Sequence, residues 1–182
     1  PQIGCDGKRK EYTMALNLKP IQRKRITLQI IGESPLVMHK WSEKAKGMMR
    51  DKHAGKETKT REARDPEQEC TDATYIMPDG KYAIPGMAIK QALIGAAHKD
   101  LGIEKTLVRK SVFMPISDPE GLIPIECAEP WMREDVMRVG MGSTDLRYRP
   151  QFDEWTCVCV FEIDSELLTE GDLVSLVDRA GF

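Results

Sequence analysis

The residues best suited to chemistry in this chain are basic and aromatic. Lys40, Lys44, Lys46, Arg50, Lys52, Lys56 and Lys59 are strung around Trp41, and Arg147-Tyr148-Arg149 repeats the mixture on a smaller scale. Cationic side chains neutralise phosphates, and a nearby ring offers a stacking face to an unpaired base. Contact with single-stranded nucleic acid is therefore predicted at Lys40, Trp41, Lys44, Lys46, Arg50, Lys52, Arg147, Tyr148 and Arg149. In an extended strand Arg147 and Arg149 share a face. Glu43, Asp51, Glu57 and Glu62 dilute the charge. The competing reading is a solvated loop and an ordinary edge strand, with Trp41 and Tyr148 buried.

Other chemistries find less to rest on. His39, His53 and His98 are scattered, none with a second ligand at i, i+4, so no metal centre is expected. Cys157 and Cys159 fall on one face of a strand, where a thiol pair is ordinarily core filler. No P-loop, dinucleotide fingerprint or nucleophile elbow is present, and no cofactor is expected. Attack by an RNA 2′-hydroxyl needs only a base, an acid and a cation at the phosphate. A metal-independent endoribonuclease using His39 or His98 is thus the alternative, although neither histidine has a visible partner.

The composition sets bounds. The 182 residues carry 27 Lys+Arg against 29 Asp+Glu, a formal net charge of −2, and 41% are hydrophobic. That suits one globular domain and is too apolar for a wholly disordered chain. Apolar runs fall far short of the ~18 residues a membrane helix needs. Five cysteines without a regular framework fit a reduced, cytoplasmic chain, and the polar start reads as a trimmed end without a signal peptide. Residues 1–65 hold 16 Lys+Arg and 8 Asp+Glu, whereas 66–182 hold 11 and 21. A basic first third on an acidic body suits an anionic partner or self-association.

These residues need elements to position them. Residues 1–22 read as an N-terminal arm or edge strand. Ile26–Ile31 reads as a central strand, left at Pro35. Residues 42–70 read as a charged insertion: a short helix capped by Ser42, then a stretch from Asp51 to Glu69 without an apolar stripe, mobile or ordered by a partner. Asp79-Gly80 predicts a type I′ hairpin turn, and apolar spacing predicts a helix over 87–101. Residues 106–116 and 122–127 read as extended, and 130–152 stays open between helix and strand. Trp155–Ile163 reads as a second central strand beside the first, before a helix near 170–180 capped by Thr169 or Ser165. The order is β-α-β-β-α. It predicts an α+β, ferredoxin-like (split βαβ, RRM-like) core over 23–182 with an incomplete C-terminal strand.

Three local patterns then carry a resemblance. Ile26–Ile31 with Ser34-Pro35-Leu36, the run Ile84-Pro85-Gly86-Met87-Ala88-Ile89-Lys90-Gln91-Ala92-Leu93, and the 155–163 strand with its following helix resemble the RAMP superfamily. Those are the repeat-associated proteins that build CRISPR effector complexes. Met87 and Ala88 depart from the small hydroxyl residues usual there, and the family's glycine-rich loop and last strand do not follow the second helix. The resemblance implies a non-enzymatic backbone subunit that binds RNA in preference to DNA. It also implies assembly with copies of itself or related subunits, the 42–70 insertion gripping the strand. A stand-alone phage or prophage relative that binds nucleic acid, or interferes with another protein assembly, fits the same resemblance.

Overall fold

The computed structural model describes residues 19–56, 63–140 and 142–181. The predicted arm up to residue 18, Glu57, Lys59 and Glu62 lie outside the described residues. In chain order, β1 (Arg23–Ile31) and the short β2 (Leu36–Val37) precede α1 (Glu43–His53) and α2 (Pro66–Asp72). Next, β3 (Ala83–Pro85) runs directly into α3 (Gly86–Asp100), followed by α4 (Lys105–Ser111), β4 (Val112–Phe113) and β5 (Leu122–Cys127). A long pair, β6 (Trp131–Val139) and β7 (Ser143–Phe152), leads to β8 (Trp155–Asp164) and α5 (Glu170–Ala180). The architecture is α+β, with two antiparallel sheets: β1-β8-β5-β3, with β4 also on β8, and β2-β7-β6.

The core follows from the alternation of β8. Cys157, Cys159, Phe161 and Ile163 point inward and meet Leu93, Ile94 and Ala97 of α3 and Leu173 and Leu176 of α5. Ala96 and Ala97 are buried, which lets α3 lie close to the sheet. Thr169 closes a capping box with Asp172 and starts α5 where the main chain leaves β8. No helix among the described residues is long and apolar enough to cross a membrane.

Two glycines mark close approaches. A Cβ on Gly32 would lie 2.1 Å from the Trp155 indole nitrogen, whose N–H donates to the Ser34 carbonyl at 3.0 Å. A Cβ on Gly86, at the start of α3, would lie 2.1 Å from the end of the Ile116 side chain.

Several sequence expectations need correction. β1 does lie beside β8, pairing Ile26 with Phe161 and Ile30 with Cys157. It is an edge strand among the described residues, not a central one. Only Ile26, Leu28 and Ile30 turn to the core, while Thr27, Gln29 and Ile31 are exposed, the one-sided pattern of an antiparallel strand with one solvated face. The Asp79-Gly80 turn is not type I′. Gly80 alone takes positive φ (87°), and its N–H closes on the Met77 carbonyl at 2.9 Å. Pro78, with φ fixed near −65°, suits the first central position of a common turn, and Asp79 avoids the left-handed region.

Residues 105–111 form a helix where an extended run was expected. Val108 and Ser111 are buried, and the Ser111 hydroxyl donates to the Leu107 carbonyl at 2.6 Å. Packing against α3 outweighs the strand preference of Thr106 and Val108. The insertion is also more ordered than predicted: α1 continues to His53, and α2 forms behind Asp65, which accepts from the Glu67 and Gln68 N–H groups. Neither helix buries a side chain, in keeping with the missing apolar stripe. The open stretch 130–152 is a hairpin, with Gly140 and Gly142 at positive φ in its turn.

Candidate nucleic-acid interface

The second sheet assembles the site. β6 and β7 pair from Trp131↔Gln151 to Val139↔Ser143. Side chains alternate across the sheet, so Trp131, Arg133, Asp135 and Met137 share a face with Asp145, Arg147, Arg149 and Gln151. β2 joins in the register Val37↔Gln151, and the Met38 N–H donates to the Pro150 carbonyl at 3.2 Å. That register carries His39 alongside Arg149. The face therefore gathers His39, Arg147 and Arg149, all singled out from sequence. It adds Trp131, Arg133 and Gln151, which were not. Their signal was the alternation Trp131-x-Arg133-x-Asp135, legible only once the stretch is known to be a strand.

A carboxylate network holds the guanidiniums. The Arg133 Nε donates to Asp135 at 2.7 Å and its Nη1 to Gln151 at 3.2 Å. Arg149 reaches Asp135 at 3.8 Å, and Arg147 reaches Asp145 at 3.1 Å. Gln151 and the Trp131 indole N–H both donate to Asp153, at 2.7 and 3.0 Å. Trp131 is thus fixed by its polar end, while 49% of the residue stays exposed. The buried Nε of Arg149 has no hydrogen-bond partner in this network. A guanidinium has five N–H donors, so one carboxylate leaves capacity for a further anion. Burial first, then the charges of Arg149 and Arg147, push the His39 imidazole below its ordinary 6.5.

Arg64, also unpredicted, ties α2 to this hairpin. It donates two bonds to Glu69, one to Asp145 and one to the Leu146 carbonyl. Its guanidinium lies 5.8 Å from the ring centre of Tyr148. By the alternation of β7, Tyr148 faces the side opposite Arg147 and Arg149, and does not join their face.

The remaining predicted residues lie on a second surface. The Lys40 N–H donates to the Ala73 carbonyl at 2.8 Å, and its ammonium sits 5.6 Å from the Tyr75 ring centre. A cleft of about 270 Å³ opens between Lys40, Trp41 and Lys44 on one side and Thr71, Asp72 and Ile76 on the other. Trp41 is 54% exposed. Lys46 pairs with Glu43 at 2.6 Å and draws that carboxyl below its ordinary 4.5. Arg50 and Lys52 are exposed in the last turn of α1, where cations complement the helix dipole. The two surfaces meet at the His39–Lys40 peptide.

His98 is exposed on α3 and belongs to neither surface. Cys157 and Cys159 are buried with their sulfurs 3.7 Å apart; that contact and burial push the Cys159 thiol up. Among the described residues no three His, Cys, Asp or Glu side chains cluster to hold a metal ion. Comparison with protein-family models, curated proteins and solved structures finds no match.

Proposed function

We propose that the protein binds single-stranded nucleic acid, RNA in preference to DNA, as a non-enzymatic RAMP-like subunit that assembles with copies of itself or related subunits. The observation that carries this reading is the β6–β7 face, where Arg133, Arg147 and Arg149 alternate with carboxylates beside the exposed Trp131. Guanidiniums supply phosphate contacts, and an anchored ring supplies a platform for a base. The preference for RNA rests on the family resemblance. A ferredoxin-like core is supported by the order β1-α3-β5-β8-α5 with β1, β8 and β5 adjacent, the first, third and second strands of a split βαβ sheet.

The test is fluorescence anisotropy with a short labelled oligouridylate over a range of salt. Log affinity is expected to fall with log salt by about 0.7 per phosphate contact. Replacing Arg133, Arg147 and Arg149 with Ala weakens binding and flattens the slope. Trp131→Ala costs about 1–3 kcal/mol with little change of slope. The quadruple Ala variant of Lys44, Lys46, Arg50 and Lys52 shows whether α1 is part of the same track. If the arginine variant binds like the parent, with the same slope, the reading fails. Cleavage of the oligonucleotide, lost by ~100-fold in His39→Ala or His98→Ala, points instead to the endoribonuclease.

A further inference from the structure

The β6–β7 face is nearly charge-neutral before any ligand arrives. Arg64, Arg133, Arg147 and Arg149 are met by Glu69, Asp135 and Asp145, and a fourth carboxylate, Asp153, accepts from the Gln151 amide beside them. Two of those carboxylates are each shared between two arginines: Asp145 between Arg64 and Arg147, and Asp135 between Arg133 and Arg149. An incoming phosphate must therefore displace a carboxylate or find another cation. Lys40, next along the chain, has its ammonium over the Tyr75 ring. His39 is the group on this face able to gain a charge near neutral pH.

We propose that His39 is the proton-taking member of a phosphodiester seat completed by Arg147 and Arg149, so that nucleic acid binds there together with one proton. The proposal rests on the nucleic-acid reading above and adds its regulation by pH. Geometry places the imidazole at the register position beside Arg149, at the open flank of β7 where β2 ends. Arg149 is the loosest of the three arginines: its one ion pair among the described residues is 3.8 Å long, and its buried Nε has no acceptor. Its guanidinium keeps unused donors for a phosphate, on a side chain that is 18% exposed. The charged groups that act on His39 are Arg149 first and then Arg147 of β7, with Lys40 next to it in the chain. In the free protein, partial burial and then Arg149 and Arg147 lower the affinity of the ring for a proton. A phosphate between them offsets part of the arginine charge and, as an adjacent anion, favours the imidazolium.

The sign follows directly. Binding takes up a proton, so affinity rises as pH falls through the range between the free and bound pKa values of His39. The experiment measures oligouridylate affinity by anisotropy from pH ~8 to ~5.5 at constant ionic strength, for the parent, His39→Gln and His53→Gln; each pKa unit gained on binding is worth about tenfold. The expected result is a rise of roughly tenfold for the parent and for His53→Gln, and a flat profile for His39→Gln at the weak, high-pH level. NMR titration of the His39 ring is expected to show its pKa raised by saturating oligonucleotide. A thermal melt of His39→Gln separates a folding defect from a lost proton. A parent profile that is flat, or one that His39→Gln reproduces, overturns the seat while leaving nucleic-acid binding intact. No binding at any pH or salt overturns both readings.

Discussion

Removing the Arg64 side chain tests how the insertion is held on the hairpin. The guanidinium donates two bonds to the Glu69 carboxylate at 2.6 and 2.5 Å, one to Asp145 at 2.6 Å and one to the Leu146 carbonyl at 2.6 Å. Buried charge-assisted bonds are worth about 1.5–3 kcal/mol each, but Arg64 is 30% exposed and its partners 33% and 25%. Exposed pairs measure about 0.2–1 kcal/mol, so a value near 0.5 kcal/mol per bond, within that exposed range, gives roughly 2 kcal/mol for Arg64→Ala. For a chain of this length that lowers the melting temperature by about 4–8 °C. Because α2 buries no side chain of its own, amide exchange over 66–72 should accelerate more than exchange in β8. A double-mutant cycle with Asp145→Ala should return a coupling of about 0.5 kcal/mol. Urea unfolding is the assay. A loss below about 0.5 kcal/mol, or exchange in α2 unchanged, refutes the claim that Arg64 anchors the helix.

Three further outcomes follow from particular contacts. Gly32→Ala should cost about 1–3 kcal/mol and shift Trp155 fluorescence, because the new methyl displaces a rigid indole bonded to Ser34. Gly86→Ala should cost less than Gly32→Ala in the same urea unfolding, since the end of Ile116 can rotate away; equal losses would contradict this account. Thr169→Ala should destabilise by about 1 kcal/mol at neutral pH through loss of the cap on α5. The Thr169 backbone N–H and hydroxyl hold the Asp172 carboxyl below its ordinary 3.8. The carboxylate part of that contribution is therefore present above pH ~4 and is lost as pH falls through the lowered value, so the gap between parent and variant should narrow in acid melts to what the Asp172 N–H bond to the Thr169 hydroxyl supplies.

What the sequence determined by itself is the part governed by local pattern. The alternation of Trp155–Ile163, the helical spacing of Ile89, Leu93 and Ala96/Ala97, and the Ser42 and Thr169 caps each place an element without knowledge of its neighbours. They also made the β1–β8 pairing and the α+β class legible. The tertiary structure decided whatever depends on a partner distant in the chain. Leu107, Val108 and Ser111 are helical because α3 offers them a surface, which no propensity reveals. Likewise, Arg133 meets Arg149 only through a register closed across Gly140 and Gly142, and Arg64 finds Asp145 from 81 residues away. Arg147 and Arg149 could be assigned a common face from sequence, because a strand repeats every two residues. That His39 and Trp131 share that face, and that Tyr148 does not join it, depends on which strands pair and where the chain departs from them. Only folding supplies that information.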